Sequence, residues 1–167
     1  LYAGKTIGKF TGWAAYTFAK SERSFDDIDE GRWFPVKHDR THDVSLVGMY
    51  QISNKWNLSA TWIYNTGDAV TFPSGKYYID GKLVNFYTER NGYRMPDYHR
   101  LDIGTTYYFK KTNDRESSLN ISLYNVYGRQ NAYTITFRQN EDNPEITEAV
   151  QLSLFRWIPS ISYNFKF

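Results

Sequence analysis

The chain of 167 residues has no cysteine, so neither a disulfide framework nor thiolate chemistry can enter its structure. It has no apolar run approaching about 18 residues, which excludes a transmembrane helix. That absence says nothing against membrane-spanning strands, whose signal per segment is weak. Charge imbalance is small: a net charge of +2 with both signs scattered makes no case for nucleic acid or for a polybasic membrane patch. Helical periodicity is missing, and period two fits throughout. There is no G-x-S-x-G elbow and no glycine-rich phosphate loop leading into a helix. The acidic pairs Asp26-Asp27 and Asp29-Glu30 fall in a turn-rich stretch beside Gly31, where solvated charge is the default. These absences give a non-enzymatic reading with no catalytic residues and no cofactor.

Rings are what the chain has in abundance. Tyr, Phe and Trp make up 19% of it, although its mean hydropathy is only −0.64. Many rings in a polar background suit amphipathic strands with aromatic girdles at two membrane interfaces. The last residues show the pattern most clearly. Trp157, Pro159, Ile161, Tyr163, Phe165 and Phe167 alternate with Ser160, Ser162, Asn164 and Lys166. Tilted by about 45°, such a strand rises roughly 25 Å, the height of a lipid-facing band. This stretch resembles the closing strand of a bacterial outer-membrane barrel.

Five further segments alternate in the same way. Phe10, Ala14, Tyr16 and Phe18 oppose Thr11, Trp13, Ala15 and Thr17. Val44, Leu46, Gly48, Tyr50 and Ile52 oppose Asp43, Ser45, Val47, Met49 and Gln51. Trp56, Leu58, Ala60, Trp62 and Tyr64 oppose Asn57, Ser59, Thr61, Ile63 and Asn65. Leu101, Ile103, Thr105, Tyr107 and Phe109 oppose Arg100, Asp102, Gly104, Thr106 and Lys110; Leu119, Ile121 and Leu123 oppose Asn120 and Ser122. The expectation is six antiparallel strands, with the tail of a seventh at residues 1–3.

Connections come in two sizes. Residues 53–55 and 111–117 are short and polar, whereas 21–40, 67–97 and 129–156 are long and rich in turn residues. Short turns at one end and long loops at the other is the asymmetry of outer-membrane barrels. Asp80-Gly81 is a type I′ hairpin signal, and residues 132–138 and 147–155 are expected to pair with each other. Six strands leave open edges that hydrocarbon does not tolerate, so a barrel must be completed by further strands or by copies of the chain.

Several segments resemble TonB-dependent outer-membrane receptors, particularly their Bacteroidetes branch. Gly8-Lys9-Phe10-Thr11-Gly12-Trp13-Ala14-Ala15-Tyr16-Thr17 is similar to their GKxTGWxxYT strand, and Asp39-Arg40-Thr41-His42 to the entry of the next one. Asn54 to Gly67, Arg100-Leu101-Asp102, Leu119 to Tyr127 and Pro159 to Tyr163 follow in family order, ending on Phe167. The resemblance implies an all-β chain, a transmembrane antiparallel barrel segment spanning residues 1–167. It would supply about the last six strands of a barrel of about 22, with the plug and earlier strands absent. It further implies the bacterial outer membrane, contact with its lipid and lipopolysaccharide, and energy from TonB acting through the missing N-terminal part. The cargo would be a scarce nutrient such as a siderophore, haem, cobalamin, an oligosaccharide or a peptide, with a surface lipoprotein as a further partner. In that setting Tyr163, Phe165 and Phe167 form the signal read by the barrel-assembly machinery. The start at Leu1-Tyr2-Ala3, without Met, fits the same expectation.

Candidate ligand contacts lie in the long loops: Arg32, Trp33 and Phe34 in the first, and Tyr77, Tyr78, Phe86, Tyr87 and Arg90 in the second. Rings offer flat faces to sugars or planar ligands, and arginine grips carboxylate or phosphate. The competing reading has these rings packing their own hairpins. His38 and His42 lie about 13 Å apart in extended chain, too far for one ion, so no metal site is expected. Asp39 with Arg40, and His99 with Arg100, are expected to be structural. Two alternatives use the same alternation: a soluble, aromatic-rich β-sandwich that binds carbohydrate, and an oligomeric pore closed by identical chains. The fate of the apolar face separates the sandwich from both membrane readings.

Overall fold

The computed structural model describes residues 1–112 and 114–167; Asn113, which the sequence places in the second short turn, lies outside them. The fold is all-β. Strands β1 (Tyr2–Lys5) and β2 (Phe10–Phe18) come first. The first long connection carries the short pair β3 (Glu22–Arg23) and β4 (Phe34–Pro35), with a 3-10 turn at Asp29–Gly31 between them. Strands β5 (His42–Gln51) and β6 (Trp56–Asn65) follow across a tight turn. In the second long connection, β7 (Ala69–Val70), β8 (Gly75–Ile79), β9 (Lys82–Phe86) and β10 (Tyr93–Arg94) form two nested pairs, β7 with β10 and β8 with β9. Strands β11 (Tyr98–Lys111) and β12 (Glu116–Tyr124) lead to the third, which holds the hairpin β13 (Thr134–Gln139) and β14 (Thr147–Leu152). Strand β15 (Ile158–Lys166) ends the sheet.

Seven strands form one antiparallel meander in the order β1-β2-β5-β6-β11-β12-β15. The expected tail at residues 1–3 is a full strand. Gly4 and Lys5 pair with Trp13 and Gly12 through their backbones, a contact that side-chain alternation does not announce. Both outer edges, β1 and β15, have no further strand beside them among the described residues.

Register decides which side chains meet, because a slip of one residue would reverse the faces. Here every apolar set falls on the same side. Phe10, Tyr50, Leu58, Thr105, Ile121 and Ile161 form one row across the sheet. Ala14, Leu46, Trp62 and Leu101 form another. A bulge at Phe109 breaks the ladder between Tyr108 and Lys110, yet Phe109 still packs with Tyr107 and Tyr163. The opposite face carries rows such as Asn57, Thr106, Asn120 and Ser162, where Asn120 Nδ2 donates to Thr106 Oγ1 at 2.9 Å.

Rings bound the apolar face at both ends. Near the short turns stand Tyr50, Trp56, Tyr107, Phe109, Tyr163 and Phe165, with Trp56 and Tyr107 centroids 4.8 Å apart. Near the long connections stand Tyr16, Phe18, Trp62, Tyr64 and Tyr127. Between them lie Leu46, Leu58, Ala60, Ile103, Ile121 and Ile161. Two lysines stand on this side at the short-turn end: Lys5 opposite Gly12, and Lys110, which the bulge moves from its expected polar side to lie opposite Ser117.

Among the described residues no second sheet or helix packs across either face. Ile161 is 70% exposed and Ile121 49%. The buried apolar residues, Phe34 and Ala69, sit in the long connections rather than against the sheet. A soluble chain of this size would bury most of its apolar surface in a core.

Candidate functional site

The long connections do not hang free; they pack into one body at the end of the sheet. Its anchor is Asp39, a buried carboxylate at the end of the first connection. The Ser21 N–H donates to its Oδ1 at 2.5 Å, and Arg94 Nη2 donates to its Oδ2. Arg94 Nη1 donates to the Asp39 carbonyl and, at 3.3 Å, to the Gly67 carbonyl, so one guanidinium ties the first connection to the second. Burial pushes the Asp39 carboxyl up. Arg94, the Ser21 N–H and Lys20 outweigh burial and hold it below its ordinary range.

The expected pairing of Asp39 with Arg40 is corrected here. Arg40 Nε instead donates to Asp68 Oδ1 at 3.0 Å, and His38 Nδ1 lies 3.3 Å from Asp68 Oδ2. Consecutive side chains on an extended segment leave on opposite sides, which sends the two partners apart. His42 meets the Tyr16 hydroxyl at 2.9 Å, so the two histidines serve different neighbours. The pairing of His99 with Arg100 is corrected in the same way. His99 Nδ1 lies 2.8 Å from the Tyr127 hydroxyl, while Arg100 Nε donates to Asp102 Oδ2 at 3.0 Å on the polar face.

Backbone contacts complete the joint. The Ala69 N–H donates to the Lys37 carbonyl at 3.1 Å, the Met95 N–H to the Asp68 carbonyl at 2.9 Å, and Asn91 Nδ2 to the Pro35 carbonyl at 2.9 Å. Gly67 is required for this closeness, because a Cβ there would lie 1.7 Å from the Met95 carbonyl oxygen. The third connection leans on the second. Phe72 stacks on Tyr93 at 4.0 Å and meets Phe137 edge-on at 4.6 Å, while Lys76 Nζ donates to the Pro144 carbonyl at 2.5 Å.

These three connections line a half-open cavity of ≈ 730 Å³ above the polar-face ends of β6 and β11. Lys37, His38, Arg40 and Asp68 form a charged wall, with Tyr133, Ile135 and Phe137 elsewhere in the lining. The volume is that of an ordinary small-molecule site.

The loop candidates read from the sequence stand elsewhere. Arg32 is engaged by Asp29, through Nη2 to Oδ1 at 2.7 Å and Nε to the carbonyl at 3.1 Å. Phe34 is buried beside Phe25, with the Arg90 guanidinium over its ring at 5.4 Å. Tyr77 and Phe86 meet edge-on at 6.0 Å within their own hairpin. Trp33 and Tyr78 are exposed, and Tyr87 and Arg90 line a smaller cleft of ≈ 430 Å³ with Ile28 and Thr71. None of them lines the larger cavity. The lining residues had a signal of their own, since Tyr133, Ile135 and Phe137 alternate along residues 132–138 and share one face. Tyr163, Phe165 and Phe167 lie at the short-turn end, with Phe165 and Phe167 centroids 5.6 Å apart. No protein-family model, curated protein or solved structure matches this chain.

Proposed function

We propose that this chain forms part of the wall and outer vestibule of a TonB-dependent receptor that imports a scarce nutrient across the bacterial outer membrane. The observation that carries the reading is the pairing register. It gathers the apolar sets of six strands onto one uncovered face, with rings at both rims. In water such a face costs about 25 cal/mol per Å² left unburied; in hydrocarbon it costs nothing. A soluble sandwich would need a second sheet over it.

The open edges of β1 and β15 call for partners, since unpaired backbone groups in lipid cost several kcal/mol each. Further strands, in a barrel of about 22, supply them in this reading. The segments that resemble the receptor family lie on β2, at the entry to β5, on β6, on β11, across β12 and on β15. The polar face then lines the lumen, and the packed connections stand outside the cell among lipopolysaccharide, open to a surface lipoprotein. TonB would act through a plug on the lumen side.

The test is the native protein. Purified from outer membranes in detergent, it should be a single chain well above 19.7 kDa that contains these residues and migrates differently before and after boiling. Deleting its gene and deleting the energising TonB protein should abolish uptake of the same nutrient. A protein soluble without detergent overturns the reading. A detergent-requiring ring of 19.7 kDa chains replaces it with the oligomeric pore, which the two open edges also fit.

A further inference from the structure

We propose that the cavity between the three long connections binds a small organic anion, its oxyanion head held by Lys37 and Arg40 and its apolar body against Ile135 and Phe137. This deepens the receptor reading and rests on it for the direction from which the ligand arrives. Charge is unbalanced in the cavity wall. The lining contains Lys37, Arg40 and His38 but a single carboxylate, Asp68. Both oxygens of that carboxylate are already engaged, Oδ1 by Arg40 Nε at 3.0 Å and Oδ2 by His38 Nδ1 at 3.3 Å. Lys37 has no ion-pair partner among the described residues, and Arg40 uses only Nε in its own pair. Two other carboxylates stand nearby without lining the cavity: Asp39 is spent on Arg94, and Asp97 accepts from the Gly67 N–H and the Tyr64 hydroxyl. The wall is therefore left with unmatched cationic donors.

The backbone beneath the charge is tied down: the Met95 N–H donates to the Asp68 carbonyl and the Ala69 N–H to the Lys37 carbonyl. Of the cationic side chains, Arg40 is oriented by Asp68, while Lys37 is exposed and free to turn toward an anion. Phe137 is fixed from outside the cavity by Phe72, which itself stacks on Tyr93. A cavity of ≈ 730 Å³ with cations on one wall and apolar and aromatic side chains in the lining suits an amphiphilic anion. A neutral oligosaccharide would find acceptors in Asn65, Thr71, Tyr98 and Thr134 but would leave Lys37 and Arg40 without a counter-charge.

The probe pair is biphenyl-4-carboxylate and its neutral isostere biphenyl-4-carboxamide. Each is titrated calorimetrically into the full native protein in lipid nanodiscs, with empty nanodiscs as the blank. The carboxylate is expected to bind about tenfold more tightly than the amide, as one charge-assisted contact allows. Lys37→Gln with Arg40→Gln should remove that preference and leave amide binding unchanged. Equal binding of the two probes by the unaltered protein, or a preference that survives the double substitution, overturns the proposal. Should the double variant no longer bind the amide, Lys37→Gln alone decides, because Lys37 belongs to no ion pair among the described residues. A reduced preference there supports the site and an unchanged one overturns it. Calorimetry reads binding whether or not the protein imports anything, so this result and the uptake result fail independently.

Discussion

Arg94 and Asp39 are 55 residues apart in the chain and joined through a carboxylate whose side chain is 1% exposed. The pair fastens the first long connection to the second, and the guanidinium also caps the Gly67 carbonyl. Removing Arg94, whose side chain is 38% exposed, leaves the buried Asp39 carboxylate with the Ser21 N–H alone, which puts the loss at the low end of the roughly 3–5 kcal/mol typical of a broken buried pair. Arg94→Met is therefore expected to loosen the joined connections by about 3 kcal/mol while leaving the strands intact. Amide hydrogen exchange should rise in residues 34–41 and 66–97 and stay unchanged in β5, β6 and β11.

The same carboxylate sets a pH dependence of known sign. Its folded-state pKa lies below the ordinary value of 3.8, so the folded form favours the ionised state. The stabilisation is fully present above that ordinary value and is lost as pH falls through the lower, folded value. Protection of the Gly67 and Arg94 amides should therefore be flat from about pH 7 to pH 5 and fall below about pH 4. Asp39→Asn should be less protected at neutral pH and should lose that acid-dependent step.

How much of this could be read in the sequence depends on the range of the interaction. The strands were legible because alternation is local: Ile121 and Ile161 each sit among polar neighbours, so each strand declares its own faces. The Asp80-Gly81 hairpin was legible for the same reason, and both residues adopt the positive φ, 48° and 76°, that a type I′ turn needs. The cavity was not. Arg94 meets Asp39 across 55 residues and Phe137 meets Phe72 across the gap between two connections, and no local period encodes either meeting. Rings alone do not separate the two readings of the loop candidates, because a ring that packs its own hairpin and a ring that meets a ligand look alike in one dimension. Tyr77 against Phe86 is the packing case.

Gly67 offers a sharper probe of the joint than any charged residue. A methyl group at this position would overlap the Met95 carbonyl oxygen at 1.7 Å, a clash with backbone that no side-chain rotation relieves. The Gly67 N–H also donates to Asp97 Oδ1 at 3.2 Å, so displacement would break that bond as well. Gly67→Ala is expected to cost about 2–4 kcal/mol, beyond the usual 1–3 kcal/mol of overpacking, because backbone must move. Limited proteolysis should nick the second connection in the variant under conditions that spare the unaltered protein. Gly75→Ala, where a Cβ meets nothing within 4 Å, is the matched control and should leave the pattern unchanged.

The face assignment is tested in the middle of the sheet. Ile121 lies opposite Thr105 on β11 and Ile161 on β15, one same-face step inward from the belt rings Tyr107 and Tyr163 that flank Leu119. Its neighbour Ser122 points to the other side, opposite Gly104 and Ser160. A cationic side chain at the bilayer midplane costs a barrel about 2–4 kcal/mol, whereas the lumen face accepts one at little cost. If the sheet is the barrel wall proposed above, Ile121→Arg should lower the stability of the native protein by about 2–4 kcal/mol in denaturant titrations in lipid bilayers. Ser122→Arg should change it by less than about 1 kcal/mol. A soluble sandwich would also resent arginine in a covered core, but it would show the same penalty in water with no lipid present. Requiring bilayer for folding and showing the penalty at Ile121 alone would place this face in hydrocarbon; equal penalties at both positions would mean that neither face is the one turned to lipid.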